Sequence, residues 1–268
     1  TESNDMATFP VFYEFLAEVA GSYPDFALDL LLKDSDHLSK FLIPILRGLW
    51  DGEKRAELMP LIQRWVQEAR PEETAFLYAS AKLFLSTKHV DLELLGQLLD
   101  KATELNDSFV LRQVASVAIA RSASNEVHRE LKALFLRAVS RLTELKDPNW
   151  VREIWFREEA KVIVADLSPK ERSDVLKNLR LLAQIDYQAE DVLAVIAQRE
   201  PRDVVEFLCA RIYEPDEHAQ TLAKKEGVEY EELPFQFHKL QDPLSNDPKM
   251  VVQKVLDCYR KDSSLFEF

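Results

Sequence analysis

The apolar residues of this chain recur at intervals of three and four, which is the spacing that one face of an α-helix requires. The pattern is clearest at Leu38, Phe41, Leu42, Ile45, Leu46 and Leu49, and again at Leu58, Leu61, Ile62, Trp65 and Val66. Only 5 of the 268 residues are glycine, and the Asn-Gly pairs that favour tight hairpin turns are absent. The sequence therefore predicts an all-α fold.

Short corners separate the periodic segments, among them "DGE", "LND", "KDPN" and "DLSP". Helices of about 12–20 residues joined by such corners pack antiparallel against their neighbours in sequence. The segments make about six helical pairs, and stacking each pair on the last gives the geometry of an α-solenoid.

Two stretches 40 residues apart, "NDSFVLRQVA" and "DPNWVREIWF", carry an Asp followed three residues on by an apolar residue and five on by an Arg. These residues are Asp107, Val110 and Arg112, then Asp147, Trp150 and Arg152. The pattern and its period resemble HEAT repeats. The resemblance implies a right-handed superhelix of antiparallel α-helical pairs. The Asp would cap a helix, the apolar residue would enter the core, and the Arg would reach a carboxylate of the adjacent repeat.

Residues 1–213 are accordingly predicted to form a HEAT-like repeat array. Residues 214–268 are predicted to form an irregular acidic appendage and a capping helix in the same structural unit. The stretch 214–247 carries nine acids against three lysines and includes Tyr230, Phe235 and Phe237. Leu233, Phe235 and Phe237 are expected to dock near Phe207 and Leu208. Because the chain begins at Thr1 and ends in the apolar "SSLFEF", we expect a fragment of a longer protein.

The net charge and the absence of known motifs argue against several kinds of binding partner. A net charge of −13 argues against nucleic acid as the main ligand, because phosphate binding relies on Lys and Arg. The sequence shows neither a signal peptide nor an apolar run of roughly 20 residues, so no membrane association is predicted. Cys209 and Cys258 are expected to be reduced core residues of a cytoplasmic protein, and the style of the sequence suggests a bacterial source. No cofactor or metal is predicted, since phosphate-binding glycine loops and zinc motifs are absent.

The leading functional prediction is a non-catalytic protein–protein interaction scaffold, or a recognition or sensor segment of a larger multidomain protein. Binding by a solenoid surface needs no single reactive residue. Fold-level analogy suggests the distal arm of a signalling ATPase. The identity of the protein partner is not encoded in any motif. The candidate binding residues are the basic face at Arg129, Lys132, Arg137 and Arg141, the carboxylate Glu158 on an apolar stripe, and the aromatic side chains Tyr230, Phe235 and Phe237.

The alternative prediction is a HEAT-like DNA glycosylase or another nucleic-acid-binding helical repeat protein. One family of alkylpurine glycosylases is built from such repeats and uses an Asp with nearby Trp residues in a concave cleft. "DPNWVREIW" is similar in offering Asp147, Trp150 and Trp155. A glycosylase requires Asp147 to face solvent, whereas a scaffold would use it as a helix cap and bury the two Trp rings between repeats.

Overall fold

Fifteen α-helices and short 3-10 segments account for the regular structure in the computed structural model, which describes residues 10–34, 38, 40–123, 126–153, 161–234 and 236–261. No β-strand occurs within these ranges, so the all-α prediction is confirmed. The chain divides into two compact units, Thr1–Val117 and Ala118–Phe268. No helix in the described ranges is both long enough and apolar enough to cross a lipid bilayer.

In the first unit, the first six helices contact their neighbours in sequence, and several also contact the next helix but one. The helices of this unit are α1 (Pro10–Ser22), α2 (Pro24–Asp34), α3 (Leu42–Asp51), α4 (Arg55–Glu68), α5 (Ala75–Leu83), α6 (Leu92–Leu105) and α7 (Ser108–Arg121), within which the boundary between units falls. Helix α1 contacts α3, and α3 contacts α5, so these three helices form one row. Helices α4 and α6 contact each other and form a second row. The apolar stripes point between these rows; for example, Leu95, Leu98 and Leu99 of α6 are fully buried.

Helices α1 and α3 approach each other unusually closely. A β-carbon on Gly48 of α3 would collide with the carbonyl oxygen of Ala17 and the β-carbon of Ala20, both on α1. The guanidinium of Arg47 forms a two-pronged hydrogen bond with the Glu14 carboxylate, with Nη1 2.8 Å from Oε1. Small residues at the crossing and this ion pair beside it hold α1 in place.

The second unit is built around a helix that is buried on nearly every side. Its helices are α8 (His128–Glu144), the 3-10 helix Asn149–Glu153, α9 (Lys161–Ala165), α10 (Pro169–Leu179), α11 (Tyr187–Arg199), α12 (Pro201–Tyr213), α13 (Glu217–Glu226), α14 (Gln241–Ser245) and α15 (Pro248–Lys261). Every residue of α11 from Ala189 to Ala197 is buried. Helix α11 contacts α9, α12 and α14, while α8 packs on α10 and α12 on α15.

The two near-copies in the sequence build the same corner twice. Asn106 and Lys146 both adopt the left-handed conformation, with φ of 57° and 58°. The next amide in each copy turns back to the preceding helix: Asp107 N–H donates to the Ala102 carbonyl at 2.9 Å, and Asp147 N–H to the Leu142 carbonyl at 2.8 Å. This is the hydrogen bond that closes a helix C-terminus through a left-handed residue.

Beyond the corner the two copies differ. The Asp107 carboxylate accepts the Val110 N–H at 3.0 Å and opens helix α7. The Asp147 carboxylate accepts the Asn149 N–H at 2.9 Å, and the 3-10 helix follows where an α-helix was expected. The apolar residue of each copy, Val110 or Trp150, is fully buried. The repeated motif therefore encodes a corner and a core residue, but not the same helix after the corner.

Candidate interaction surfaces

The predicted basic face lies on α8, and its four cations have different surroundings. Lys132 Nζ contacts the Asp166 carboxylate at 3.1 Å and the Glu171 carboxylate at 3.0 Å. Burial lowers the pKa of Lys132, but the hydrogen bonds to Glu171 and Asp166 outweigh it and raise the pKa above its ordinary value. Arg141 pairs with Glu144, whereas Arg129 and Arg137 lie at exposed positions. The α8 face is therefore partly neutralised by its own carboxylates.

The Asp147 corner packs into the core of the second unit. Asp147 is only 8% exposed, and Trp150 is fully buried with its ring edge-on to Phe135 at 5.2 Å between centroids. Trp150 Nε1 donates to Asn178 Oδ1 at 2.6 Å, and Asn178 Nδ2 donates to Thr143 Oγ1 at 3.0 Å. The apolar surface of the indole is thus buried, and its N–H group has a hydrogen-bond acceptor inside the protein. Trp155 and Glu158 lie outside the described residues.

Arg152 is the Arg of the second Asp, Trp and Arg motif, and it contacts the residue that caps a later helix. Its Nε lies 3.0 Å from the carboxylate of Asp186, and the other oxygen of Asp186 accepts the Ala189 N–H at the start of α11. Arg55 contacts the α6 cap Asp91 in the same way, at 3.3 Å. In both units an Arg thus bonds to the Asp that caps a later helix, 36 residues on in the first unit and 34 in the second.

The acidic C-terminal segment is attached to α12 by a buried cation. Arg211 is 1% exposed, and its guanidinium donates to main-chain carbonyl oxygens on both sides. The stretch before α11 supplies the carbonyl of Leu182 at 2.9 Å, and the acidic segment supplies those of Glu231 and Glu232, the latter at 3.0 Å. The ring of Tyr230 lies against the same guanidinium, 5.0 Å from centroid to Cζ. Desolvation lowers the pKa of Arg211 below its ordinary value.

A buried anion on α11 makes the second attachment. Glu190 is 3% exposed, and its Oε1 accepts the backbone N–H groups of His238 and Lys239 at 2.6 Å and of Leu240 at 3.0 Å. These amides immediately precede α14, where a negative charge is favourable. The ammonium of Lys239 pairs with Asp191 and lies over the Tyr187 ring.

The attachment differs from the apolar docking expected from the sequence. Leu233 is 38% exposed, Phe237 is half-buried in a shallow groove beside Leu244 and Val251, and Phe235 lies outside the described residues. The segment is instead held by Arg211 and Glu190, two charged residues that bond to its main chain. Tyr230, expected as a binding residue, is half-buried against Arg211.

An exposed aromatic cluster on the first unit was not singled out from the sequence. We call Val11, Phe12, Phe15 and Phe41 the N-terminal aromatic patch; their exposed fractions are 82%, 45%, 55% and 36%. The Phe12 ring stacks near Phe15 at 6.3 Å and meets Phe41 edge-on at 5.8 Å. In "VFYEF" the aromatic residues look alike, and only the structure shows that Tyr13 and Ala17 take the buried face of α1 and leave Phe12 and Phe15 on the other.

Comparison with known proteins finds no match: no family model, no curated protein and no solved structure is similar to this chain. Among the described side chains, no group of three or more His, Cys, Asp or Glu residues is arranged to hold a metal ion.

Proposed function

We propose that this chain is a non-catalytic protein-interaction segment of a larger protein, and that it binds its partner through the N-terminal aromatic patch. The observation that carries the proposal is the contact of three phenylalanine rings on an exposed surface. Contiguous exposed apolar side chains mark binding surfaces more often than isolated ones do. Aromatic residues are also enriched at the centres of protein–protein interfaces.

The charges around the patch define the chemistry of the partner. Glu14, Glu18, Asp25 and Asp29 are all exposed on α1 and α2. Glu14, Asp25 and Asp29 pair with Arg47, Lys54 and Lys33, but residues 1–36 carry eight acids against one lysine, so acids remain in excess. A partner surface with an apolar centre and a Lys- and Arg-rich rim is complementary, and its charges would accelerate the encounter. The phosphates of a nucleic acid would be repelled here.

The arrangement of the helices supports a HEAT-like scaffold as the framework for this surface. Contacts between alternate helices in the first unit, the repeated corner at Asn106 and Lys146, and the Arg-to-cap pairs all agree with that architecture. We include in the proposal a right-handed solenoid of about six helical pairs with its acidic appendage. A cytoplasmic multidomain protein, with this chain as its recognition arm, is the setting we propose.

A labelled amphipathic peptide with leucine on one face and lysine on the other tests the proposal by fluorescence anisotropy. We expect binding that weakens with salt. The double variant Phe12→Ser/Phe15→Ser should raise Kd by about tenfold or more, as loss of central aromatic contacts does.

The matched control is Phe109→Ser, which removes a phenylalanine of α7 that is 63% exposed and outside the patch. It should change Kd by less than about twofold. Equal binding of a leucine–glutamate peptide, or unchanged binding by the double variant, would contradict the proposal.

The glycosylase alternative makes a different demand on the molecule. Base excision needs an accessible carboxylate and a pocket for an extruded base, whereas Asp147 is nearly buried and Trp150 fully so. This geometry favours the scaffold. Release of methylated bases from alkylated DNA, with loss of that release in Asp147→Asn, would establish the alternative instead.

A further inference from the structure

The only two cysteines of the chain, Cys209 and Cys258, are brought together by the packing of α15 on α12. Cys209 is 8% exposed, and Cys258 is partly exposed on α15. They are 49 positions apart in the sequence, so only the tertiary fold makes them neighbours.

An ion pair sets the register of the two helices at this point. Lys254 of α15 pairs with Glu206 of α12. Cys209 follows Glu206 by three residues and Cys258 follows Lys254 by four, which is one helical turn along each helix. Both pairs of residues line the same cavity between α12 and α15.

Both thiols line one surface cavity. The cavity measures about 550 Å³ and is also lined by Ala210, Tyr213 and Lys254. A small polar oxidant can therefore approach from solvent, and it meets Cys258, the more exposed of the two residues, first.

The two thiols also interact directly. Burial, followed by the hydrogen bond with Cys258 and the repulsion from a negative charge there, raises the pKa of the Cys209 thiol to about 12. Cys209 therefore stays protonated at neutral pH, and the first oxidation falls to Cys258, because Cys258 is the more exposed of the two residues.

We propose that Cys209 and Cys258 are a modification site: a dithiol that hydroperoxides convert reversibly into a disulfide tying α15 to α12. In the first step the Cys258 sulfur takes one oxygen from the hydroperoxide and becomes a sulfenic acid. The rest of the hydroperoxide leaves as water or an alcohol. In the second step the Cys209 sulfur attacks the Cys258 sulfur and the S–O bond breaks. The departing hydroxide takes the Cys209 proton and leaves as water. Two electrons pass from the dithiol to the peroxide, and a thiol reductant reverses the change.

The experiment treats the reduced, purified chain with one equivalent of hydrogen peroxide, at a concentration low enough to disfavour contacts between chains. We expect the intact mass to fall by two hydrogens, and a protease digest to contain a linked Cys209–Cys258 peptide that dithiothreitol removes. Maleimide labelling should fall at least about tenfold after oxidation. Oxygen retained on Cys258, or disulfide-linked dimers in place of the linked peptide, would overturn the proposal.

Cys258→Ser is the control, because this position is partly exposed and tolerates a hydroxyl; it should show no loss of two hydrogens. Alkylating Cys258 in the folded wild-type protein with iodoacetamide gives a second control that requires no variant to fold. Equilibration with mixtures of reduced and oxidised glutathione tests reversibility. A dithiol–disulfide transition within that range supports the site, while a disulfide that persists in excess reduced glutathione contradicts it.

Discussion

Arg211 carries a full positive charge into the second unit, where main-chain oxygens take the place of water. A guanidinium remains protonated even when desolvation lowers its pKa. Its five N–H donors suit this position, because five carbonyl oxygens surround it, those of Arg180, Leu182, Ala183, Glu231 and Glu232. A lysine would offer three donors from a single atom and could not span both stretches of chain.

Replacing Arg211 by Met should therefore lower the free energy of unfolding by about 3 kcal/mol or more, because several buried carbonyl groups lose their donors. Urea unfolding followed by circular dichroism measures the change. Arg202→Met is the matched control on the same helix, since Arg202 is 64% exposed and pairs with Glu206 one turn away. It should cost less than about 0.5 kcal/mol, and an equal loss in both variants would show that Arg211 has no special role.

At the scale of elements, the two left-handed corners differ in how well their residues suit the backbone. Lys146 has a β-carbon that crowds the following carbonyl oxygen at a φ of 58°, whereas Asn106 is a residue type that tolerates this conformation at 57°. Glycine adopts it without steric cost.

Lys146→Gly should therefore stabilise the protein by about 0.5–1 kcal/mol, after allowing for the greater freedom of glycine in the unfolded chain. Asn106→Gly should gain less. The urea midpoints of the two variants, compared with that of the wild type, show which substitution stabilises the protein more. A destabilising Lys146→Gly would mean that the lysine side chain contributes more than the strain it causes.

Much of the helical framework follows from the sequence, and its limits can be located at particular residues. The stripe at Leu95, Leu98 and Leu99 is buried as its period predicts, and Val114 and Leu134 are buried core residues. Arg211 could not have been found in this way, since it is one of 34 cations and its acceptors are main-chain atoms that leave no mark in the sequence. The aromatic patch was hidden for another reason: an exposed Phe12 and a buried Tyr13 have the same apolar signature until the helix is placed.

At the scale of the whole molecule, net charge and ion pairs respond to acid at different pH values. The carboxyl of Glu206 has its pKa lowered below 4.5 by the hydrogen bond from Lys254, and that of Asp166 below 3.8 by Lys132. Groups with lowered folded pKa values stabilise the fold above their unfolded values and lose this contribution only as the pH falls through the folded ones. At pH 5 these pairs are still intact. The net charge, −13 at pH 7, is by then close to zero because the sequence pI is about 5.0.

Lowering the pH from 7 to 5 should thus produce a folded protein that self-associates, since charge repulsion no longer opposes contact between apolar surfaces. Light scattering with circular dichroism at each pH separates association from unfolding. Phe12→Ser/Phe15→Ser should remain closer to monomeric at pH 5 than the wild type, with Phe109→Ser as the comparison. Loss of helical signal before association would show instead that acid unfolds the protein first.

The attachments of the C-terminal segment have a consequence for how this protein can change over generations. Arg211 and Glu190 bond to carbonyl and amide groups, which every residue type except proline supplies in full. Much of the information that positions this segment therefore resides in α11 and α12, with Tyr230 and Lys239 contributing their side chains. At Glu231, Glu232 and His238 the hydrogen bonds are made by the main chain, whichever side chain stands there. Those positions can drift, acquiring or losing charge, while the segment keeps its course over the surface. A lineage could in this way alter what the segment presents to other molecules without redesigning the fold beneath it.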